Sequence, residues 1–355
     1  MSLSLSRSKQ ALLQQGVVIP AHPLALDSRG RFDERQQRGL TQYYCAAGAG
    51  GVAVGVHTTQ FEIHDPQVGL FRPVLTAAAE VLSDNATSMI AVAGLLGKTA
   101  QAVAEAEVAS ELGYDAGLLA LGAWRGAPWR DIVEHCRTVS EVLPLFGFYL
   151  QPTVGGMDLP YGFWRQFAEI ENVVAIKIAA FNRYQTLEVI RAIVDAGRDD
   201  IALYTGNDDN IVLDLITPYR LQRSCDGDWV TRYMVGGLLG HWACWTRTAV
   251  QLLNQLRAVR QSGVIGRELL ELAQQVTDCN AAIFDPAHGF AGCLPGIHAV
   301  LSDQGLLGGM ACLDGSALSD GQRAEIDRVR RSYPHLVDDH FVIELLTECR
   351  GEFRA

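Results

Sequence analysis

Lysine is almost missing from this sequence. Of 29 Lys and Arg residues in 355, only Lys9, Lys98 and Lys177 are lysine. Wherever a positive charge alone suffices, the chain uses arginine. The net charge is -11 and the basic residues are scattered, which excludes the clustered basic face of a nucleic-acid binder. No apolar run approaches the roughly 20 residues that cross a bilayer, so no membrane partner is expected. Residues 1–15 are polar and lack the apolar core of a secretory leader. The eight cysteines lie far apart with no CxxC, a pattern of reduced cytoplasmic thiols and not of a disulfide framework. The nine histidines form no HxH or HxxxH pair, so no metal is expected. The first strand-like stretch, "GVVIPAHPL", has no GxGxxG, which counts against a doubly wound open sheet, the main rival to a barrel; no cofactor is expected.

What is present is a repeating βα pattern. Nearly half of the residues are hydrophobic and 19% are charged, enough for a large core. Strand-like runs begin near Gly16, Gly51, Ser88, Ala116, Pro144, Asn172, Asp200 and Met234, at intervals of 28 to 37 residues. Segments between them, such as "TAQAVAEAEVASELGY", carry apolar residues at helical spacing. Eight such units predict an α/β fold, a (β/α)8 TIM barrel. The stretch 221–232 reads as an enlarged loop before the eighth strand. From about residue 263 the β signal fades, so we expect a barrel over residues 1–262 and a helical extension over 263–355. "DPAHGFAGC" (285–293) falls in that extension and reads as packing.

The third lysine stands in the middle of an apolar strand-type run, "VVAIKIA" (173–179). Fully buried lysines are rare unless paired or functional. An amine, unlike a guanidinium, can lose its proton and attack a carbonyl. Alternation puts Lys177 on one face with Val173, Ala175 and Ala179, toward the strand end where barrels place their chemistry. A lysine whose amine snorkels to water at that end is an equal alternative from this pattern alone. Tyr149, 28 residues earlier at the end of the preceding strand, is one βα unit away; its phenol could shuttle protons beside the amine or simply fill the barrel. Thr58 and Thr59, after the second strand, offer hydroxyls and backbone N–H groups for a small carboxylate.

In this order and spacing the chain resembles the dihydrodipicolinate synthase/N-acetylneuraminate lyase family of class I aldolases. Lys177 in "VVAIKIA" is similar to the family's Schiff-base lysine, Tyr149 in "FYLQP" to the tyrosine of its Tyr-Asn-x-Pro motif, and Thr58-Thr59 to its Thr-Thr pair. "YTGNDD" (204–209) resembles its Ser/Thr-Gly-x-Asp loop and "VGGLLG" (235–240) its Gly-x-Ile/Ser strand. The resemblance implies catalysis by Lys177 and Tyr149, with substrate binding by Thr58, Thr59, Gly206, Asn207 and Leu238. It implies a lyase or aldolase that forms an iminium with pyruvate or a related 2-oxo acid, takes an aldehyde as second partner, and assembles as a homo-oligomer, a tetramer or dimer. The departures are His57, Gln60 and Phe61 around the Thr pair, Leu150 and Ile178 after the tyrosine and lysine, Val154 where the synthase has an arginine, and Trp124 where it has a relay tyrosine. They make aspartate semialdehyde a poor expectation as the aldehyde. They also leave room for a second class of function, a non-catalytic binder of 2-oxo acids or sugar acids.

Overall fold

The computed structural model describes residues 5–85, 88–223 and 227–348. It contains ten strands: β1 Val18–Pro20, β2 Gly51–Val54, β3 Ile90–Leu95, β4 Ala116–Leu119, β5 Leu145–Leu150, β6 Val173–Ala179, β7 Ala202–Thr205, β8 Tyr219–Gln222, β9 Trp229–Arg232 and β10 Gly236–Leu239. All eight expected strands are among them. They form one sheet in the order β1-β10-β7-β6-β5-β4-β3-β2, the strand order of a (β/α)8 barrel.

The chain groups into two compact units. The first comprises the segment ending at Val17 together with Ile90–Leu238; the second comprises Val18–Met89 and the chain from Leu239 onward. In the first unit β3 to β7 and β10 pair in parallel. Their residues are buried almost throughout, as parallel strands covered on both faces must be. Helices form where apolar side chains recur at helical spacing. In Trp129–Ser140 the residues Ile132, Cys136 and Val139 are buried on one stripe. In Arg183–Asp195 the Asn182 side chain accepts from the Tyr184 and Gln185 N–H groups at the N-terminus, satisfying donors that helix geometry leaves open.

The second unit joins the first two strands to the C-terminal helices. A parallel bridge pairs Ala21 with Ala53. The Tyr43 hydroxyl donates to Asp338 at 2.7 Å and accepts from the Thr246 N–H at 2.8 Å, so residues nearly 300 positions apart share one buried network. Helices Arg267–Phe284, Cys293–Asp303, Gln322–Ser332 and Asp339–Glu348 make up the expected helical part. In "DPAHGFAGC" the Asp285 carboxylate accepts from Ser319 Oγ and the Gly292 N–H and lies 2.6 Å from His288 Nδ1. That is packing chemistry at a helix end.

One expectation changes. The stretch 221–232 is not a plain loop: β8 and β9 pair antiparallel as a separate hairpin, with Leu221 opposite Val230 and Gln222 opposite Trp229. Residues 224–226 lie outside the described residues. Two short half-exposed strands with Asp and Gly in the sequence between them are a hairpin signal, and here the longer period of the barrel obscures it.

Candidate active site

Lys177 lies on the face of β6 turned away from the helices. Register makes this definite. Ala175, Lys177 and Ala179 pair with Phe146, Phe148 and Leu150 of β5, and Ala175 and Lys177 with Ala202 and Tyr204 of β7. Paired residues of parallel strands share a face. The lysine side chain is 8% exposed, and its Nζ sits 4.6 Å from the centroid of the Phe148 ring, a cation–π contact. Burial pulls its pKa from 10.5 down to about 8, while the Asp208 charge acts in the opposite direction. Among the described residues, the other two lysines have different roles. Lys9 is paired with Asp115 at 2.7 Å, and the Lys98 amine lies 3.9 Å over the Trp124 ring.

Tyr149 is not beside the amine. Leu145 pairs with Val173, 28 residues on, but Phe146 pairs with Ala175, 29 residues on, because the register shifts between Leu145 and Phe146. A one-residue slip moves every later side chain to the other face. Phe148 therefore stands opposite Lys177, and Tyr149 points into the helix layer. Its ring packs 5.4 Å from that of Trp164 in helix Tyr161–Phe167. Its hydroxyl accepts from the Leu159 N–H at 3.3 Å, and burial pushes its pKa up to about 12. Gly147 shares this face: a Cβ there would lie 2.7 Å from the Phe167 ring.

The loop after β7 contributes unequally. Gly206 lies directly against the lysine; an added Cβ would sit 2.6 Å from Lys177 Cε and 2.8 Å from Ala179 Cβ. Asn207 is buried, but its side chain faces away. Its Oδ1 accepts from the Phe181 N–H at 2.9 Å, and its Nδ2 donates to Asp214 at 2.8 Å. These bonds brace the loop. Asp208, which the motif contained but sequence reasoning passed over, is the buried carboxylate whose field reaches Lys177. Two adjacent aspartates hid it. Asp209 instead lies 3.7 Å from Arg183. Leu238, fully buried in β10, shares a face with Gly236, which pairs with Tyr204; it continues the apolar lining.

Thr58 and Thr59 belong to the second unit, in the 3-10 turn His57–Thr59. The Thr59 hydroxyl accepts from the Gly55 and Val56 N–H groups and donates to the His22 carbonyl at 2.6 Å, and its own N–H donates to Val56. Its hydrogen-bonding capacity is committed to the turn. The Thr58 hydroxyl makes only a long contact, 3.4 Å, to the same carbonyl. Gln60 holds a left-handed φ of 68° and accepts from the Leu313 N–H at 2.6 Å. Back in the first unit, Trp124 is turned toward the helix layer, 4.8 Å from the His135 ring. Val154 ends a short 3-10 turn, and Arg125 donates to the Gly156 carbonyl at 2.7 Å.

Among the described residues no group of three or more His, Cys, Asp or Glu could hold a metal ion, and no helix is long and apolar enough to cross a membrane. Comparison with known proteins agrees with the fold. A 4-hydroxy-tetrahydrodipicolinate synthase of Cyanothece sp. is 30% identical over 43% of this chain and 49% of that protein; the chain thus spans about half the length of the curated relatives it matches. Dihydrodipicolinate synthase from Oceanobacillus iheyensis superposes with a TM-score of 0.73 at 15% identity, covering 92% of this chain and 99% of that one. The chloride-inhibited synthase from Acinetobacter baumannii, solved with pyruvate, gives 0.70 at 18% identity, covering 90% and 98%. Both likenesses are of fold. The family model of the dihydrodipicolinate synthetases matches residues 14–217, and with more than half of its length matched the chain belongs to the dihydrodipicolinate synthetase family.

Proposed function

We propose that this protein is a Schiff-base-forming lyase or aldolase that acts on pyruvate or a related 2-oxo acid through Lys177. One observation carries the reading: the lysine amine is buried against an aromatic face, with its pKa lowered to about 8 by that burial. About a tenth of such an amine is neutral at pH 7, against well under a thousandth for a free lysine. The amine attacks the ketone carbon, water leaves, and the resulting iminium withdraws electrons from C3, stabilising an enamine or the breaking C3–C4 bond. The Acinetobacter relative solved with pyruvate supports a 2-oxo acid as first substrate. The second substrate is an aldehyde. The surroundings of the amine, Phe148, Leu150, Ala179 and Leu238, favour an apolar one. The same reading makes the protein a cytoplasmic homo-oligomer.

Incubation with pyruvate and borohydride, followed by mass analysis, tests this. One reduced pyruvate unit should map to Lys177 and vanish in Lys177→Arg, which keeps the charge but cannot deprotonate. Labelling at Lys9 or Lys98, or no pyruvate-dependent adduct, overturns it. The second reading, a binder without turnover, is favoured by one observation: Phe148 occupies the place beside the amine where a proton-carrying phenol was expected. Exchange of the pyruvate methyl protons in heavy water separates the two, since only an enamine-forming enzyme exchanges them.

A further inference from the structure

We propose that Phe148 is a catalytic residue, whose ring face stabilises the positive charge that the Lys177 nitrogen carries, as an ammonium before the 2-oxo acid binds and as an iminium afterwards. The iminium half rests on the Schiff-base reading above. The ring is placed by register. The shift between Leu145 and Phe146 that turns Tyr149 outward sets Phe148 directly opposite Lys177. Phe148 is 4% exposed, and the amine lies 4.6 Å from its ring centroid, within the range over which an aromatic face attracts a cation. The lysine stem is confined in that position. A Cβ on Gly206 would lie 2.6 Å from Lys177 Cε and 2.8 Å from Ala179 Cβ, so the stem runs against bare backbone.

The other groups around the amine do not duplicate the ring. Lys177's own strand presents Ala175 and Ala179, and β10 presents Gly236 and Leu238. Two neighbours titrate, Tyr204 from β7 and Asp208 from the loop after it. The Tyr204 hydroxyl donates to the Leu13 carbonyl at 2.9 Å and accepts from the Val17 N–H at 3.2 Å. Those partners precede the first strand, so the phenol is held at the opposite end from the chemistry. Asp208 is buried, and its charge favours the ammonium. The Lys98 amine also lies over a ring, 3.9 Å from that of Trp124, but Lys98 is exposed, where water weakens such a contact. At Lys177 the contact is desolvated.

The reaction keeps its charge at this one place. An ammonium and a ketone become an iminium and a water. The C–N bonds form, both C–O bonds break, and two of the three ammonium protons leave with the oxygen. One positive charge sits on the nitrogen before and after; only the free amine and the carbinolamine between them are neutral. An ammonium has three N–H groups to donate and an iminium has one. A hydrogen-bonding partner therefore favours the ammonium, whereas a ring face attracts the charge in either form. Phe148 thus steadies the iminium as an electron sink inside an apolar site without tying the nitrogen down as an ammonium.

The test replaces Phe148 by mono-, di- and trifluorophenylalanine through nonsense suppression. Fluorine withdraws density from the ring face and leaves its shape nearly unchanged. With only three lysines in the chain, a lysine label at Cε gives three signals to titrate by NMR, and Lys177 is the one lost in Lys177→Arg. A desolvated contact of this kind is worth about one and a half pH units. The Lys177 midpoint should fall stepwise with fluorine count, by about one unit in the trifluoro variant. A ring that only keeps water out would leave the midpoint in place, and that result overturns the proposal. If the trifluoro variant fails to fold, the monofluoro variant decides, with an expected fall of about 0.3 unit. The iminium is read from the pyruvate concentration that half-converts the amine to the borohydride-trapped adduct. Above the midpoint, where the amine starts neutral, this should rise about tenfold in the trifluoro variant. Well below it, where ammonium and iminium lose the same attraction, it should hold within about twofold. No rise above the midpoint, or an equal rise at both, overturns the iminium half. No adduct in the unsubstituted protein overturns the Schiff-base reading, while the lysine titration still decides the ring's hold on the ammonium.

Discussion

Gly206→Ala is the sharpest perturbation of the lysine's surroundings. The added methyl would lie 2.6 Å from Lys177 Cε, 2.9 Å from Lys177 Cγ and 2.8 Å from Ala179 Cβ. Contacts that close do not occur in folded proteins, so something must move. The Ala179 Cβ is fixed by its strand, whereas the lysine stem has free torsions, and it is the lysine that yields. Overpacking of this size costs about 1–3 kcal/mol of stability, well within what a protein of this size tolerates. The functional cost is larger: displacing a reacting group by about 1 Å can lower a rate about 10²-fold. Gly206→Ala should therefore melt a few degrees lower yet trap pyruvate about two orders of magnitude more slowly. Adding Ala179→Gly removes the contact with Ala179 but not those with Lys177. The double variant should regain stability without regaining rate. Trapping at the parental rate in Gly206→Ala would refute the placement of the lysine stem against this loop.

Three further outcomes follow from the same geometry. Tyr149→Phe should leave trapping within about twofold of the parent and cost about 1 kcal/mol, since the phenol only accepts from the Leu159 N–H; a loss of 10²-fold or more would put Tyr149 back at the amine. Because the Lys177 pKa is lower folded than unfolded, the unfolded chain binds more protons between about pH 8 and 10.5, and stability rises with pH across that window. Lys177→Met should abolish this rise and add about 1–3 kcal/mol at pH 7, seen in denaturant melts; a destabilised Met variant with the rise intact contradicts the burial. With pyruvate as donor, bulky neutral aldehydes should be better acceptors than aspartate semialdehyde, because Val154 offers no charge to a second carboxylate. A wide preference for aspartate semialdehyde in a side-by-side assay would make Arg125, now bonded to the Gly156 carbonyl, the group that supplies it.

The barrel was legible because it is written in long-range repetition. Apolar β-branched runs recurring every 28 to 37 residues, with helical spacing between them, survive small local errors. Lys177 was legible for a different reason: a residue type the chain otherwise avoids stood in a strand with alanines on its own face. Neither signal depends on a register accurate to one residue. The hairpin β8–β9 was missed because its two short, half-exposed strands carry little apolar signal.

Register is what decides Tyr149, and register is where one-dimensional reading ends. A separation of 28 residues describes one βα unit and would pair Tyr149 with Lys177 if the strands ran without interruption. The shift between Leu145 and Phe146 makes the pairing distance 29, and period-two alternation then exchanges Tyr149 for Phe148. No residue type announces that shift, because Leu, Phe and Val suit either face of a buried parallel strand. In the loop after β7 the ambiguity is between neighbours. Asn207, Asp208 and Asp209 are all polar and all stand at the end of the strand where barrel chemistry sits. Only the partners distinguish them: Asp214 and Phe181 hydrogen-bond Asn207, Arg183 lies beside Asp209, and the Asp208 charge acts on Lys177. Those partners come from three different segments, so the choice among the three polar residues belongs to tertiary structure.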